Sequence, residues 1–352
     1  MLDDNTPVDA IYLDFAKAFD SVPHERLIAK IEACGIKEPV SGWIRDFLVG
    51  RRQRVKVNGS LSSWAEVSSG VPQGSVLGPV LFVIFINDMP DVAKNICSMY
   101  ADDTKLYGPI RNTKDHESLQ NDLDKLVEWS NTWQLRFNED KCKVLQLGNK
   151  NMHHKYDMKR KDNTRVILES SEVEKDLGVH IDKDLKFSKH VEVQVNKANK
   201  ILGLIRRSYE FLNGETMKML FIALVRPHLE FANSVWSPRF EKDKILIEGV
   251  LRRATRCVPG MKDLNYTERL ELLKIPSMSY RRIRGDLIEV FKFMNNMYKT
   301  KSPFELNKNG LRGHNFKLSK KSCNTKLRQD YFSNRVVDTW IILRPTWSVV
   351  VP

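Results

Sequence analysis

The feature that most constrains this chain is a pair of neighbouring aspartates inside an otherwise apolar, strand-like run. Asp102 and Asp103 follow Tyr100 and Ala101 in the stretch SMYADDTKLYG. Two carboxylates at this spacing repel each other unless a positive group lies beside them. The run therefore predicts a β-hairpin with the aspartates near its turn, and a cation close to them. The plainer alternative is an acidic turn that faces solvent.

A second acidic strand can share that cation. The run DAIYLDF, residues 9–15, predicts a buried strand interrupted only by Asp14. An antiparallel sheet that sets the hairpin beside this strand brings Asp14 and Asp102 into one cluster. Because successive side chains on a strand point to opposite faces, we expect Asp102 rather than Asp103 to be the more direct partner. Such a cluster can hold two divalent ions, and carboxylate oxygens favour Mg²⁺, with Mn²⁺ as a substitute.

The order of the remaining patterns predicts an α+β fold, with helices on one face of an antiparallel sheet. Apolar residues recur at helical spacing in HERLIAKIEACGI and HESLQNDLDKLVEWSNTWQL, and Asn58-Gly59 predicts a hairpin turn. The turn VPQGS leads into VLGPVLFVIFINDM, which predicts a helix buried on most sides. Strands return in KVLQLG and VILESSEVEKDLGVHI, on either side of the polar connection NKNMHHKYDMKRKDNT.

The back half of the chain differs in both pattern and charge. From Ser188 onward the apolar spacing predicts helices, including residues 214–225 and 241–257. The first helix carries an apolar stripe at Val191, Val195, Ala198, Leu202 and Ile205. Residues 1–182 hold 24 Lys and Arg against 28 Asp and Glu, whereas residues 183–352 hold 33 against 16. This asymmetry favours a surface for a polyanion over a set of solvated basic helices.

Cysteine usage and hydropathy argue against several other classes. The five cysteines are scattered and form no CxxC pair, which argues against a zinc knuckle or a disulfide framework. They predict reduced thiols in an intracellular chain, nuclear or cytoplasmic. The first ten residues lack a signal-peptide pattern, and an apolar run of about a dozen residues is shorter than a membrane span.

Five ordered stretches make the chain similar to a known family. It resembles the palm motifs of reverse transcriptases, in order, in YLDFAKAFDSVPHERL, SSGVPQGSVLGPVLFVIFINDM, YADDTKLY, LRFNEDKCKVLQLG and KDLGVHID. The residues within these motifs resemble those of non-LTR retrotransposons, LINE elements of the jockey/CR1 type. The resemblance continues through NKANKILGLIRRSYEF and LRRATRCVPGMKDLNYTERL to GHNFKL. The stretches AKAFDSVPHERL and RRATRCVPG argue against an intron-type or telomere-type polymerase.

The resemblance implies RNA-directed DNA synthesis, with an RNA template, a DNA primer and dNTPs as partners and two Mg²⁺ ions as cofactors. The family's metal-binding carboxylates match Asp14, Asp102 and Asp103, and Phe15 would contribute its backbone carbonyl. Lys141 matches the lysine that protonates the leaving pyrophosphate, a general-acid role. A solvated lysine is the alternative at that position.

Further positions match substrate contacts of the family. Phe19 matches the aromatic gate that leaves no space for a ribose 2′-OH, with a core role as the alternative. Gln73 and Gly74 match residues beside the incoming nucleotide and the template base, although a polar helix-entry turn would look the same. Tyr100 and Ala101 complete the predicted nucleotide site.

The resemblance also assigns the nucleic-acid contacts of the back half. Leu177 and Gly178 match the primer-grip turn. Basic thumb residues would track the nucleic-acid backbone in a salt-sensitive way, and they are Lys189, Lys197, Lys200, Arg206, Arg207, Arg252, Arg253 and Arg256. The implied domains are a reverse transcriptase palm at residues 1–182, an all-helical thumb at 183–260 and a C-terminal basic helical region at 261–352.

The chain also departs from the family pattern. Basic fingers precede the first palm strand in the family, whereas Asp14 lies close to the start of this sequence, and the ending WIILRPTWSVVVP is not the polar helix expected. These departures predict a truncated copy with weak or undetectable activity alone, because positioning contributes much of the barrier reduction in phosphoryl transfer. The alternative function is a noncatalytic nucleic-acid-binding remnant of a retroelement.

Overall fold

The computed structural model describes residues 1–160, 162–307 and 317–342. The chain divides into two compact units, unit 1 at Met1–Glu174 and unit 2 at Lys175–Pro352. Most of the unusual ending, WIILRPTWSVVVP, lies outside the described residues. The predicted division into palm, thumb and C-terminal region at residues 182 and 260 stays a prediction.

Unit 1 is a mixed α/β unit with a central sheet. Its helices are α1 (His24–Ala33), α2 (Val40–Leu48), α3 (Leu77–Ile86) and α4 (Thr113–Trp133). Its strands are β1 (Val8–Leu13), β2 (Arg52–Gln53), β3 (Lys56–Val57), β4 (Ser60–Leu61), β5 (Ala65–Glu66), β6 (Ile96–Tyr100), β7 (Asp103–Pro109), β8 (Lys143–Leu147), β9 (Asp157–Lys159), β10 (Arg165–Ile167) and β11 (Glu169–Ser171). Short 3₁₀ turns occur at Leu2–Asp4, Ala18–Asp20 and Met89–Val92.

Five strands form the central sheet in the order β11-β8-β1-β7-β6. Four of them are antiparallel to their neighbours, as predicted, but β11 pairs with β8 in parallel. The prediction of a purely antiparallel sheet is therefore wrong at this edge. The physical reason is the connection, because the hairpin β9-β10 between β8 and β11 supplies the crossover that a parallel pair requires.

The amphipathic helices bury their apolar faces against one side of this sheet. Ile11, Leu13 and Leu106 lie in the same core cluster as residues of α1, α3 and α4. The helical members of that cluster include Leu27, Ile28, Ile31, Leu81, Phe82, Phe85, Leu119, Leu123, Leu126 and Val127. Ile11 and Leu13 point to the same face because they are two residues apart in one strand.

Five of the ten residues of the apolar helix α3 are buried, as expected for a helix buried on most sides, but one side of the helix is exposed. Val80 and Val83 are 52% and 47% exposed, and Val76, just before the helix, is 92% exposed. These three valines are spaced by four and three residues and therefore lie on one face of the helix. Because the stretch has apolar residues all around it, its sequence contains no polar face that would mark the exposed side.

The connection that the sequence predicted to be polar contains core residues. Tyr156 immediately precedes β9 and is 0% exposed, and Met158 lies within β9 and is 1% exposed. The Tyr156 hydroxyl donates a hydrogen bond to Asp9 Oδ2 at 2.7 Å, and Asn151 Nδ2 donates to Asp9 Oδ1 at 2.5 Å. The run of residues 9–15 therefore carries a second carboxylate besides Asp14, since Asp9 lies within β1 and is completely buried.

Unit 2 is mainly helical after a hairpin formed by β12 (Val173–Asp176) and β13 (Val179–Asp182). Its helices are α5 (Ser188–Ser208), α6 (Gly214–Leu220), α7 (Arg226–Glu230), α8 (Glu241–Arg256), α9 (Tyr266–Leu273), α10 (Met278–Met294), α11 (Lys326–Asp330), α12 (Phe332–Arg335) and α13 (Val337–Ile342). All five residues of the predicted stripe on α5 are buried. None of the described helices is both long and apolar enough to cross a membrane.

His190 is a fully buried histidine in the first turn of α5. Its ring packs edge-on against Trp236 with 4.7 Å between ring centroids, and its Nδ1 accepts a hydrogen bond from the backbone N–H of His180 at 3.2 Å. Burial, together with the nearby positive charges of His180 and Lys197, lowers the pKa of His190 to about 4. The folded state therefore holds a neutral imidazole.

Acid is expected to destabilise unit 2 as the pH falls from about 6.5 to about 4, by roughly 3 kcal/mol in the free energy of unfolding. In that window the unfolded imidazole binds a proton while the folded one does not, so protonation favours the unfolded state. Urea unfolding followed by tryptophan fluorescence at several pH values measures the effect. His190→Asn should flatten the profile, whereas His228→Asn in the same unit should not. Equal profiles for wild type and His190→Asn would refute this explanation.

Candidate active site

The backbone of unit 1 brings the predicted carboxylates to one end of the sheet. Strand β1 pairs with β7 so that Leu13 lies opposite Thr104, and continuing this register by one residue sets Asp14 opposite Asp103. Asp102 lies in the two-residue turn between β6 and β7, in which Ala101 has a φ of 51°. The expectation that Asp102 is the more direct partner of Asp14 stays a prediction, because Asp102 lies one residue beyond this register.

Asp14 already has a cationic neighbour. The ammonium of Lys141 lies 3.2 Å from Asp14 Oδ2, although this oxygen is buried and has no hydrogen bond of good geometry within the described residues. The Asp14 carbonyl accepts a hydrogen bond from the backbone N–H of Asn138 at 2.7 Å. A buried carboxylate oxygen without a hydrogen bond is a suitable ligand for a cation, since burying a charge without compensation is costly.

The side chains do not form a complete metal cluster. In the part of the chain that the structure describes, no group of three or more His, Cys, Asp or Glu side chains is placed to hold a metal ion. Asp103 is exposed, and Asp14 and Asp102 are partly exposed. The backbone thus sets the three aspartates at one end of the sheet, while shared coordination of metal ions stays a prediction.

Phe15 and Cys142 are two buried residues next to Asp14. The Phe15 ring stacks on Phe137 with 4.6 Å between centroids. Phe15 and Phe137 also form an isolated antiparallel β-bridge. Its hydrogen bonds are made by the Asp14 carbonyl and the Ala16 N–H, so the Phe15 carbonyl takes no part in it. The Cys142 thiol lies 4.0 Å from the Asp14 carbonyl, and burial raises the pKa of this thiol to about 12. Cys142 is therefore neutral at physiological pH.

Phe19 occupies a position between core and surface. Its ring stacks on the buried Phe82 with 4.5 Å between centroids, and it is partly buried against the core of unit 1. These contacts fit both the core role and the gate role of Phe19, since one side of the ring packs in the core and the residue retains exposed surface. Its gate role stays a prediction.

A short loop, residues 69–75, holds Gln73 beside the segment that carries Phe19. Gln73 Nε2 donates a hydrogen bond to Asp20 Oδ1 at 3.1 Å, and the N–H of Val71 donates to the Phe19 carbonyl at 2.8 Å. Gly70 makes this approach possible, because a Cβ there would lie 2.7 Å from the Asp20 Cα and carbonyl oxygen. The quoted motif contained Gly70, but nothing in the sequence showed which backbone it would touch.

Gly70→Ala is expected to lower the free energy of unfolding of unit 1 by about 3 kcal/mol, from overpacking and a left-handed backbone together. Gly74 is the matched control, since its φ of +81° resembles the +89° of Gly70 but open space surrounds the place of its Cβ. Gly74→Ala should therefore cost only about 1 kcal/mol. Urea denaturation measures both, and equal losses would contradict the role of close approach at Gly70.

The remaining substrate residues lie in accessible turns. Tyr100 is 68% exposed at the end of β6, and Ala101 follows it in the turn. In unit 2, Leu177 and Gly178 form the turn between β12 and β13, both with positive φ, which is the pattern of a type I′ hairpin turn. A Cβ at Gly178 would lie 3.0 Å from the ring of Phe231. This turn is therefore packed on its own unit.

The predicted nucleic-acid-binding residues all lie on the surface of unit 2. Some also have protein partners, since Arg253 donates to Asn199 Oδ1 at 2.9 Å and Arg252 lies 4.5 Å from the ring centroid of Tyr266. Lys189 pairs with Glu192 at 3.0 Å. The eight exposed cations are Lys189, Lys197, Lys200, Arg206, Arg207, Arg252, Arg253 and Arg256.

A family model and curated relatives that match this chain are all described as RNA-dependent or RNA-directed DNA polymerases. The family model described as reverse transcriptase (RNA-dependent DNA polymerase) matches residues 8–203. A probable RNA-directed DNA polymerase from transposon X-element of Drosophila melanogaster is 26% identical over 72% of this chain and 28% of its own length. The RNA-directed DNA polymerase from the mobile element jockey of the same species is 31% identical over 51% of this chain and 20% of its own length.

This chain thus spans less than a third of the length of these curated relatives. Among solved structures, telomerase from Candida albicans in complex with a fragment of telomeric RNA is 12% identical, with a TM-score of 0.39. That similarity covers 77% of this chain and 50% of the telomerase chain.

Proposed function

The chain belongs to the reverse transcriptase (RNA-dependent DNA polymerase) family, and we propose that it adds dNTPs to the 3′ end of a DNA primer on an RNA template, as part of a non-LTR retrotransposon. The observation that carries this proposal is the register of β1 and β7, which sets Asp14 and the Asp102-Asp103 turn at one end of the sheet. In this proposal residues 1–182 supply the palm, residues 183–260 the thumb and residues 261–352 a C-terminal region.

The proposed cofactor is a pair of Mg²⁺ ions, with Mn²⁺ as a substitute. Bound divalent ions would neutralise the charge that develops on the transferred phosphoryl group. The residues that would hold them are Asp14, Asp102, Asp103 and the carbonyl of Phe15. The buried, hydrogen-bond-free Oδ2 of Asp14 supports this set.

Lys141 is the proposed proton donor to the leaving pyrophosphate. Its side chain is 66% exposed although its ammonium lies 3.2 Å from Asp14 Oδ2. Because the Lys141 end of this ion pair is exposed to solvent, the ammonium can move from Asp14 to a substrate that enters. The ammonium can then donate a proton to a phosphate oxygen, a role for which it must lie within hydrogen-bond reach of that oxygen.

The substrate would lie over the segment that carries Phe19. The Phe19 ring would lie under the sugar and exclude a 2′-OH. Gln73 and Gly74 would lie beside the incoming nucleotide and the template base, and Tyr100 and Ala101 would line the nucleotide site. The Gln73 amide can both donate and accept, and its hydrogen bond to Asp20 supports this placement. Leu177 and Gly178 would support the primer end.

Primer extension tests the proposal. The chain is incubated with an RNA template, an annealed DNA primer, dNTPs and Mg²⁺, with NTPs and an unprimed template as matched reactions. Template-dependent incorporation of dNTPs but not NTPs is the expected result. Binding of the RNA–DNA duplex without any incorporation would instead favour a noncatalytic nucleic-acid-binding remnant, for which the exposed basic residues of unit 2 are the supporting observation.

The five free cysteines support a further part of the proposal, a reducing nuclear or cytoplasmic location. Fractionation of cells that express the tagged chain tests this location.

A further inference from the structure

A basic ribbon projects from unit 1 outside the residues assigned above. Strands β2 and β5 pair at its base and β3 and β4 pair at its tip, across the turn Asn58-Gly59. Every residue from Arg52 to Glu66 is exposed. A two-stranded ribbon without core contacts is only marginally stable in water, so an extended surface of this kind gains stability when it binds a partner.

Cationic residues lie opposite apolar residues across the two arms of the ribbon. The Arg54 guanidinium lies over the Trp64 ring, 4.4 Å from its centroid, and Trp64 is 57% exposed. Lys56 begins β3, two residues beyond Arg54. Its cross-strand partner is Leu61, which is 49% exposed.

The geometry points to single-stranded nucleic acid as the ligand of this ribbon, and we propose that Trp64 stacks on an unpaired base while Arg54 and Lys56 contact flanking phosphates. Residues 51–66 contain four basic side chains and one acidic side chain, so the charge complements a polyanion. An aromatic ring beside cations is the combination that binds single strands without sequence preference. A second copy of the chain fits poorly, because it would bring like charges together.

This proposal rests on the proposed function, because the bound strand would be the unpaired template that a polymerase copies. It differs from the proposed function in its site, since none of the ribbon residues is assigned to catalysis. It also needs no metal ion. Binding can therefore be measured apart from synthesis.

The test is fluorescence anisotropy of a labelled 20-nucleotide oligo(U) RNA, with EDTA and without dNTPs. Trp64→Ala is expected to weaken binding about tenfold, the effect of losing one stacked base. Trp43→Ala is the matched control, since Trp43 is 60% exposed but lies on α2, and its affinity should equal that of wild type. In Arg54→Gln/Lys56→Gln, the negative slope of the logarithm of the association constant against log salt should become less steep by about 1.4.

Three outcomes would overturn the inference. They are an unchanged affinity in Trp64→Ala, an equal loss in Trp43→Ala, or a shift of the chain from dimer to monomer on replacing Trp64, which would make the ribbon a self-association surface. Circular dichroism shows that each variant is folded. A chain that binds RNA through Trp64 but extends no primer would refute the proposed function alone, whereas primer extension with Trp64-independent binding would refute only the ribbon proposal.

Discussion

Asp14→Asn and Asp102→Asn are each expected to lower the rate of nucleotide addition about a thousandfold, the usual order for removing one group that stabilises developing charge. An amide has the size of the carboxylate but lacks its negative charge, so the loss falls on cation binding rather than on packing. Both residues lie at one end of the sheet, where the β1–β7 register sets Asp14 opposite Asp103 and one residue from Asp102. Neither substitution fills or empties a core position.

Two measurements separate metal binding from chemistry. Single-turnover primer extension with Mg²⁺ gives the rate, and electron paramagnetic resonance of added Mn²⁺ gives the number and affinity of bound ions without any substrate. Both variants should lose Mn²⁺ affinity as well as rate. A variant that keeps full Mn²⁺ binding but loses the rate would contradict the assignment of its aspartate as a ligand.

Asp91→Asn is the control for this pair. Asp91 is exposed in the same unit, and it lies in the 3₁₀ turn Met89–Val92, which is not part of the candidate site. Its replacement should leave both the rate and Mn²⁺ binding unchanged. Incorporation that survives in Asp14→Asn and in Asp102→Asn at the Asp91→Asn rate would show that these aspartates are not the catalysts.

Local patterns predicted the strands of the candidate site because each pattern had one plausible partner. The apolar run before Asp14 and the YADD hairpin are both short, strand-like and apolar, and pairing them is the simplest way to bury both. The structure has this pairing, with β1 and β7 antiparallel. The helical stripe on α5 was equally predictable, since its polar and apolar faces are distinct.

Contacts between distant segments could not be predicted in the same way. The ion pair of Lys141 with Asp14 and the approach of Gly70 to Asp20 depend on loop paths that local periodicity does not encode. The sequence patterns also did not predict the helix α2, because it is short and lies between the clearer patterns of α1 and of the Asn58-Gly59 hairpin. The orientation of each carboxylate in the candidate site likewise depends on its neighbours and on any bound cation.

The connection between β8 and β11 shows most clearly why polar sequence is a poor guide to exposure. Polar residues such as Asn151 and Tyr156 are buried there because they pair with Asp9 on β1. Burial raises the pKa of the Tyr156 hydroxyl, and the charge of Asp9 raises it further. The hydroxyl therefore keeps its proton at physiological pH and donates a hydrogen bond to the carboxylate.

Asp9→Ala is expected to lower the free energy of unfolding of unit 1 by about 4 kcal/mol, because it leaves two buried donors without an acceptor. Tyr156→Phe removes one of the two hydrogen bonds and should cost about 1–2 kcal/mol. Urea unfolding gives these values. Hydrogen exchange adds a local measurement, since the amides of residues 151–158 should exchange faster in Asp9→Ala while those of α1 change less.

Asp140→Ala provides the surface control for Asp9→Ala. The Asp140 side chain is 87% exposed and lies 3.8 Å from Arg160, so its loss should change stability by less than about 1 kcal/mol. Equal losses in the two variants would show that burial of Asp9 adds nothing. If Asp9→Ala instead lost stability without faster exchange at residues 151–158, the carboxylate would stabilise the sheet alone. The connection would then be held by the apolar contacts of Tyr156 and Met158, and its polar residues would have no part in fixing its path.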